Sequence, residues 1–140
     1  MESSRKLWKV KNKNRFLLTV MNDLAGNAHI SFEGDSKVLG LADLQGASQL
    51  ENVVLKRNTL APRQEFVIVP LDSSTIPAIF SKIGGTIPKS VLHIQIEKNG
   101  RLEFAGYDNF HPESIYFGDA VTDACFDSLI SERILKRLDE

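Results

Sequence analysis

The chain has 140 residues, 42% of them apolar and 25% charged, with a formal net charge of −1 and one cysteine. This is the balance of one ordinary folded domain, long enough to bury a core and too apolar for a disordered chain. A single cysteine excludes an internal disulfide, and no apolar run approaches the roughly 20 residues of a membrane span.

The charge is unevenly placed. Arg5, Lys6, Lys9, Lys11, Lys13 and Arg15 make residues 1–15 a basic strand or arm, while residues 16–140 hold 11 basic against 17 acidic side chains. Such an arm could meet nucleic-acid phosphates. The preferred reading is plainer: lysines on the solvent face of an edge strand that block edge-to-edge pairing. Phe16–Met21 is too short for the apolar region of a signal peptide, so the expected location is the cytosol.

Taken in order, residues 6–10 and 15–21 read as strands joined by a polar turn. Residues 27–35 alternate, with His29, Ser31 and Glu33 opposite Ala28, Ile30 and Phe32. Residues 36–52, punctuated by Gly40 and Gly46, read as a short strand or an irregular loop. Strands are expected at 51–58 and 65–71. The unbroken apolar run Phe66–Pro70 predicts a central strand covered on both faces.

Residues 74–84 then read as a helix. Ser74 caps it, Pro77 lies in the first turn, and Gly84-Gly85 stop it. Ile76, Ile79, Phe80 and Ile83 form one apolar stripe. Residues 91–107 form a hairpin about Asn99-Gly100. A three-residue loop over Lys98–Gly100 keeps the faces consistent, pairing Ile96 with Leu102, Ile94 with Phe104 and Glu97 with Arg101. A short strand at 114–118 and a helix at 119–138, capped by Asp119 and breaking near Ser128 or Ser131, complete the chain. The expected architecture is α+β. A single globular domain over residues 1–140 has an antiparallel, strand-rich sheet with about two helices, roughly 74–84 and 119–138, packed on one face.

Phosphate-loop, dinucleotide, nucleophile-elbow, zincin and paired-cysteine motifs are all absent. No cofactor and no metal is therefore implied. Cys125 has acidic Asp123 and Asp127 nearby, which disfavour thiolate, and reads as a packing residue. The richest cluster is Tyr107–Ser114, where Asp108, His111 and Glu113 could serve acid–base chemistry. Pro112 holds His111 extended there. The preferred reading of the same stretch is a turn built on Asp108-Asn109 and anchored by Tyr107 and Phe110, with His111 simply exposed. His93, Gln95 and Glu97 share a strand face, which Glu103 could join, and His29 on a neighbouring strand would extend it. Arg57 and Arg63 flank a second polar loop, read first as a solvated connection and otherwise as a place to hold an anion or an acidic partner surface.

Two functions fit. The leading one is a small protein that binds a macromolecular partner, of antitoxin, immunity or accessory type, without catalysis. That partner would be another protein, of basic character to match the acidic body, and homodimerisation is compatible with an open sheet. Candidate binding residues are Tyr107, Asp108, His111, Glu113, His93, Arg57 and Arg63. The alternative is a small enzyme or small-molecule binder with a polar pocket by the 107–113 loop, using His111 and Asp108 as the acid–base pair and Glu113 beside them.

Overall fold

A computed structural model describes residues 7–35, 40–59, 61–83 and 87–138. The expected contributions of Arg5 and Lys6, of residues 36–39 and of Gly84-Gly85 lie outside these residues. Among the described residues the fold is α+β, with three α-helices and seven antiparallel strands in two sheets. In chain order these are β1 (Trp8–Val10), α1 (Lys13–Leu24), β2 (Ala28–Gly34), β3 (Glu65–Leu71), α2 (Thr75–Ile83), β4 (Val91–Lys98), β5 (Arg101–Gly106), β6 (Ile115–Phe117), α3 (Asp123–Ser131) and β7 (Leu135–Arg137). The larger sheet runs β3-β2-β4-β5-β6, and β1 pairs with β7 in a separate ribbon.

The strand expected at 15–21 is a helix. Phe16, Leu17, Val20, Met21 and Leu24 are all buried, a spacing that only a helical turn brings onto one face. Asn12 caps α1, its side-chain oxygen accepting the Arg15 N–H at 3.1 Å. The apolar run alone mimics a strand; Leu24, lying beyond it, completes the helical stripe.

α1, α2 and α3 contribute to the core on the sheet face that carries Ile30, Phe32, Val67, Val69, Ile94, Ile96 and Phe104. Phe16 is its hub, with ring centroids 5.7 Å from Phe104, 5.6 Å from Phe110 and 6.1 Å from Phe117. Truncating such a buried phenylalanine costs about 3–5 kcal/mol.

β3 is covered on both faces, yet it is an edge strand and not a central one. Pro70, which has no N–H to offer a ladder, fits an edge. Among the described residues only Ser48 bridges to its outer side, exchanging backbone bonds of 2.8 and 2.7 Å with Ile68. Its second apolar face is covered by a small cluster in which Phe66 and Ile68 meet Leu55, with Val54 and Leu102 packed against them. No strand forms over 51–58. Instead the Asn52 side chain accepts the N–H groups of Val54 and Leu55 at 2.9 and 2.7 Å, folding the segment into a turn.

α2 forms close to the expected bounds, but Asp72 rather than Ser74 holds its start. The Asp72 carboxylate accepts N–H bonds from Ser74 at 2.8 Å and Thr75 at 3.0 Å. The Ser74 hydroxyl, together with those two amides, holds this carboxyl below its usual range.

The 91–106 hairpin turns on two residues, not three. Asn99 and Gly100 are both left-handed, at φ 54° and 84°. The bulge expected in the turn sits instead between Leu102 and Phe104, so Glu97 faces Leu102 and Ile96 faces Phe104. Skipping Glu103 restores the apolar register that a two-residue turn would otherwise break.

The last helix is shorter than expected. Thr122, not Asp119, caps it by accepting the Cys125 N–H at 3.1 Å, and it ends at Ser131. Arg133 at φ 61° donates to the Ile130 carbonyl at 3.1 Å, and Ile134 donates to Leu129 at 2.9 Å. This is a Schellman stop with arginine where glycine is usual. The chain then returns as β7, pairing Leu135, Lys136 and Arg137 with Val10, Lys9 and Trp8.

Candidate functional site

Two regions gather polar and aromatic side chains. The first is the sheet face opposite the helices. Register places His29 against Glu97, Ser31 against Gln95 and Glu33 against His93 across β2 and β4. Ser31 donates to Gln95 Oε1 at 3.2 Å, and Gln95 Nε2 donates to the Tyr107 hydroxyl at 3.1 Å. His29 Nδ1 lies 2.9 Å from Glu97, whose other oxygen accepts the Gly100 N–H at 2.6 Å. The expected Glu97–Arg101 pairing is thus replaced.

Glu33 is only 2% exposed and reaches into the 48–59 segment, accepting the N–H groups of Asn58 at 2.7 Å and Thr59 at 3.0 Å. Thr59 Oγ1 lies 2.7 Å from His93 Nε2, and His93 Nδ1 accepts the Asp108 N–H at 3.2 Å. That last bond assigns the ring hydrogen to Nε2, which donates to Thr59. Among the described residues no buried side-chain nitrogen or oxygen lacks a partner. The region is a closed polar knot that fastens a loop to the sheet.

His29 and His93 do lie on neighbouring strands, but each faces a different carboxylate. Glu103 does not join them, because its Oε1 accepts the Ala120 N–H at 3.0 Å. Among the described residues, no group of three or more histidine, cysteine or acidic side chains could hold a metal ion.

The 107–113 loop is largely architecture. Asp108, Asn109 and Phe110 are three successive left-handed residues, at φ 51°, 54° and 63°. Asn109 holds them: its N–H donates to Leu92 O at 2.7 Å, its side-chain amide donates to Val91 O at 2.7 Å and Pro88 O at 3.2 Å, and Lys13 donates to its oxygen. The Phe110 ring lies over Gly106, where a β-carbon would come within 2.9 Å of it. His111 is exposed, and its Nδ1 accepts the Glu113 N–H at 3.1 Å. Asp108 and His111 share no hydrogen bond among the described residues, so the expected acid–base pair is not assembled.

Arg57 also has structural work. Its guanidinium pairs with Glu51 at 3.2 Å and sits 5.1 Å from the Phe66 ring centroid. The Arg57 backbone N–H, with the guanidinium beside it, holds the Glu51 carboxyl below its usual range. Arg63 borders a shallow recess with Gly34, Asp35, Gln64 and Glu65. The described N-terminal cations are dispersed: Lys9 is exposed on β1, Lys13 bonds Asn109, and Arg15 pairs with Glu132 at 2.5 Å.

The second region is an open groove of about 1250 Å3 between β6, α3 and the β1–β7 ribbon. Its floor is apolar, from Trp8, Ile115, Phe117, Phe126, Ile130 and Leu135. Lys11, Arg133, Lys136 and Arg137 set four cations around it against the carboxylates of Glu113 and Asp123. Trp8 meets Phe117 edge-on at 5.8 Å, Phe117 meets Phe126 at 4.7 Å, and the Arg137 guanidinium lies 5.8 Å from the Trp8 ring. Ile130 and Tyr116 are 45% and 48% exposed, high for such large side chains. Of the expected site residues only Glu113 lies here.

β6 ends the sheet, and its free edge borders this groove. Tyr107 donates to Ser114 O at 3.0 Å and Gly118 to Glu103 O at 2.8 Å. The alternation of an antiparallel ladder then bonds Tyr116 to Ala105 and turns the amides and carbonyls of Ile115 and Phe117 outward.

Sequence reasoning missed the groove because its walls come from both ends of the chain, and because arginine at position 133 hides the helix stop that glycine would mark. Comparison with known proteins adds no relative: no family model, curated protein or solved structure matches the chain. Its class is thus stated by architecture alone, a small α+β protein with an open sheet edge at β6 beside an aromatic groove.

Proposed function

We propose that the protein acts by binding another protein, and that the groove between β6, α3 and the β1–β7 ribbon receives it. The observation that carries this reading is the groove itself. At about 1250 Å3 it exceeds the usual small-molecule pocket of roughly 300–1000 Å3, and it is open to solvent. An aromatic centre with arginine nearby is the composition of a protein interface, where a few large anchors dominate binding. The acidic body alone favoured a basic partner, whereas four cations against two carboxylates at the groove favour an acidic one. We place this activity in a reducing compartment such as the cytosol, where a lone buried thiol is ordinary.

The test is affinity capture from the source cell with three versions of the chain: wild type, Ile130→Arg and His111→Ala. A partner identified by mass spectrometry should be retained by wild type and His111→Ala and lost with Ile130→Arg. Retention by all three would move the site elsewhere.

A further inference from the structure

Resting on the reading of the groove as a protein-binding site, we infer that its occupant is an extended acidic segment that adds to the sheet as a strand beside β6. Four backbone groups carry the argument: the N–H and C=O of Ile115 and of Phe117, all directed away from β5. No hydrogen bond from the described residues reaches them. A strand laid along this edge would pair all four, and main-chain pairing of this kind gives affinity while alternate side chains give specificity.

The side chains of Ile115 and Phe117 join the core on the α3 side of the sheet. Every second residue of the added strand would therefore rest on the apolar floor at Phe126 and Ile130. Its carboxylates would be in reach of Lys11, Arg133 and Lys136.

Two other occupants fit less well. A second copy docked groove to groove by two-fold symmetry would bring like-charged rims together. Single-stranded nucleic acid needs open aromatic faces for stacking. Trp8, Phe117 and Phe126 instead turn toward one another, and Trp8 is buried.

The test is selection from a displayed library of random peptides on the immobilised full chain, followed by hydrogen exchange with the enriched peptides bound. Sequences alternating apolar and acidic residues should enrich. Their affinity should fall with salt and drop at least about tenfold in Ile130→Arg. Exchange at the Ile115 and Phe117 amides should slow by about tenfold or more, with the already bonded Tyr116 amide little changed. Binding that needs the groove but leaves the 115 and 117 amides unprotected would overturn strand addition while sparing the groove. Enrichment indifferent to Ile130→Arg would overturn both. No enrichment, enrichment of neutral or basic peptides, tighter binding of oligothymidylate, or a dimer abolished by Ile130→Arg would each overturn the acidic strand, leaving partner capture to judge the groove.

Discussion

The polar knot over β2 and β4 and the groove beside β6 differ in what their polar groups face. In the knot, carboxylate, imidazole, amide and hydroxyl meet one another, and every buried side-chain nitrogen and oxygen is matched. In the groove, a strand edge turns two residues' backbone groups outward and basic side chains gather round an apolar floor. The knot holds the histidine and carboxylates whose residue types suggest reactivity. The groove carries no motif, yet it offers something to bind. Reactive residue types mark a site only when their bonds are not already used by the fold.

The sharpest way to break this contrast is Glu33→Ala. It removes the acceptor of the part-buried amides of Asn58 and Thr59 and should destabilise the protein by about 1–3 kcal/mol, read by chemical denaturation. The folded fraction should still bind at the groove. Next comes Ile130→Arg, which should cost no more than about 0.5 kcal/mol of stability, as expected of a surface change, while abolishing partner binding. An equal loss of both in either variant would merge the two regions into one. Arg133→Gly separates the roles further. Relief of the left-handed backbone should raise stability by about 1 kcal/mol in thermal unfolding, while the lost cation weakens binding of an acidic partner.

A smaller effect concerns Cys125. Burial first, then the nearby Asp23 carboxylate, pushes its thiol up to about 12 from an ordinary 9.0. The sequence neighbours Asp123 and Asp127 are not among the causes. The native value is the higher one, so the thiol's contribution is fully present below pH 9 and is lost as pH rises toward 12. A thiol reagent at neutral pH should react slowly with native protein and rapidly in denaturant. Smallest of all is His111→Ala, expected within about 0.5 kcal/mol and without effect on binding.

Much of the fold is legible locally. β2, α2 and the 91–106 hairpin each carry a period and an end signal within a few residues. α1 escapes a local reading because a six-residue apolar run fits either period until Leu24 is counted. The three-residue turn is a sound inference from facing residues, defeated by a bulge at Glu103 that only the 118–120 segment explains. Residues 51–58 have strand composition, but Asn52 competes for their amides. The site is less legible. Sequence proximity assembles Asp108, His111 and Glu113, whereas the fold bonds the Asp108 N–H to the His93 ring and the His111 ring to the Glu113 N–H. Trp8, Phe117, Ile130 and Arg133 meet only after the first and last described strands have paired.

That pairing has a consequence for when the groove exists at all. Leu7 O accepts the Leu138 N–H at 2.9 Å, so the ribbon closes a loop spanning nearly the whole described chain. Contacts of such wide sequence separation are entropically late. A nascent chain still lacking residues 134–138 can form most of the core, but it has no second wall beside β6. Whatever docks there meets a chain whose ribbon has already closed, and occupancy of the groove would serve as a report of that closure.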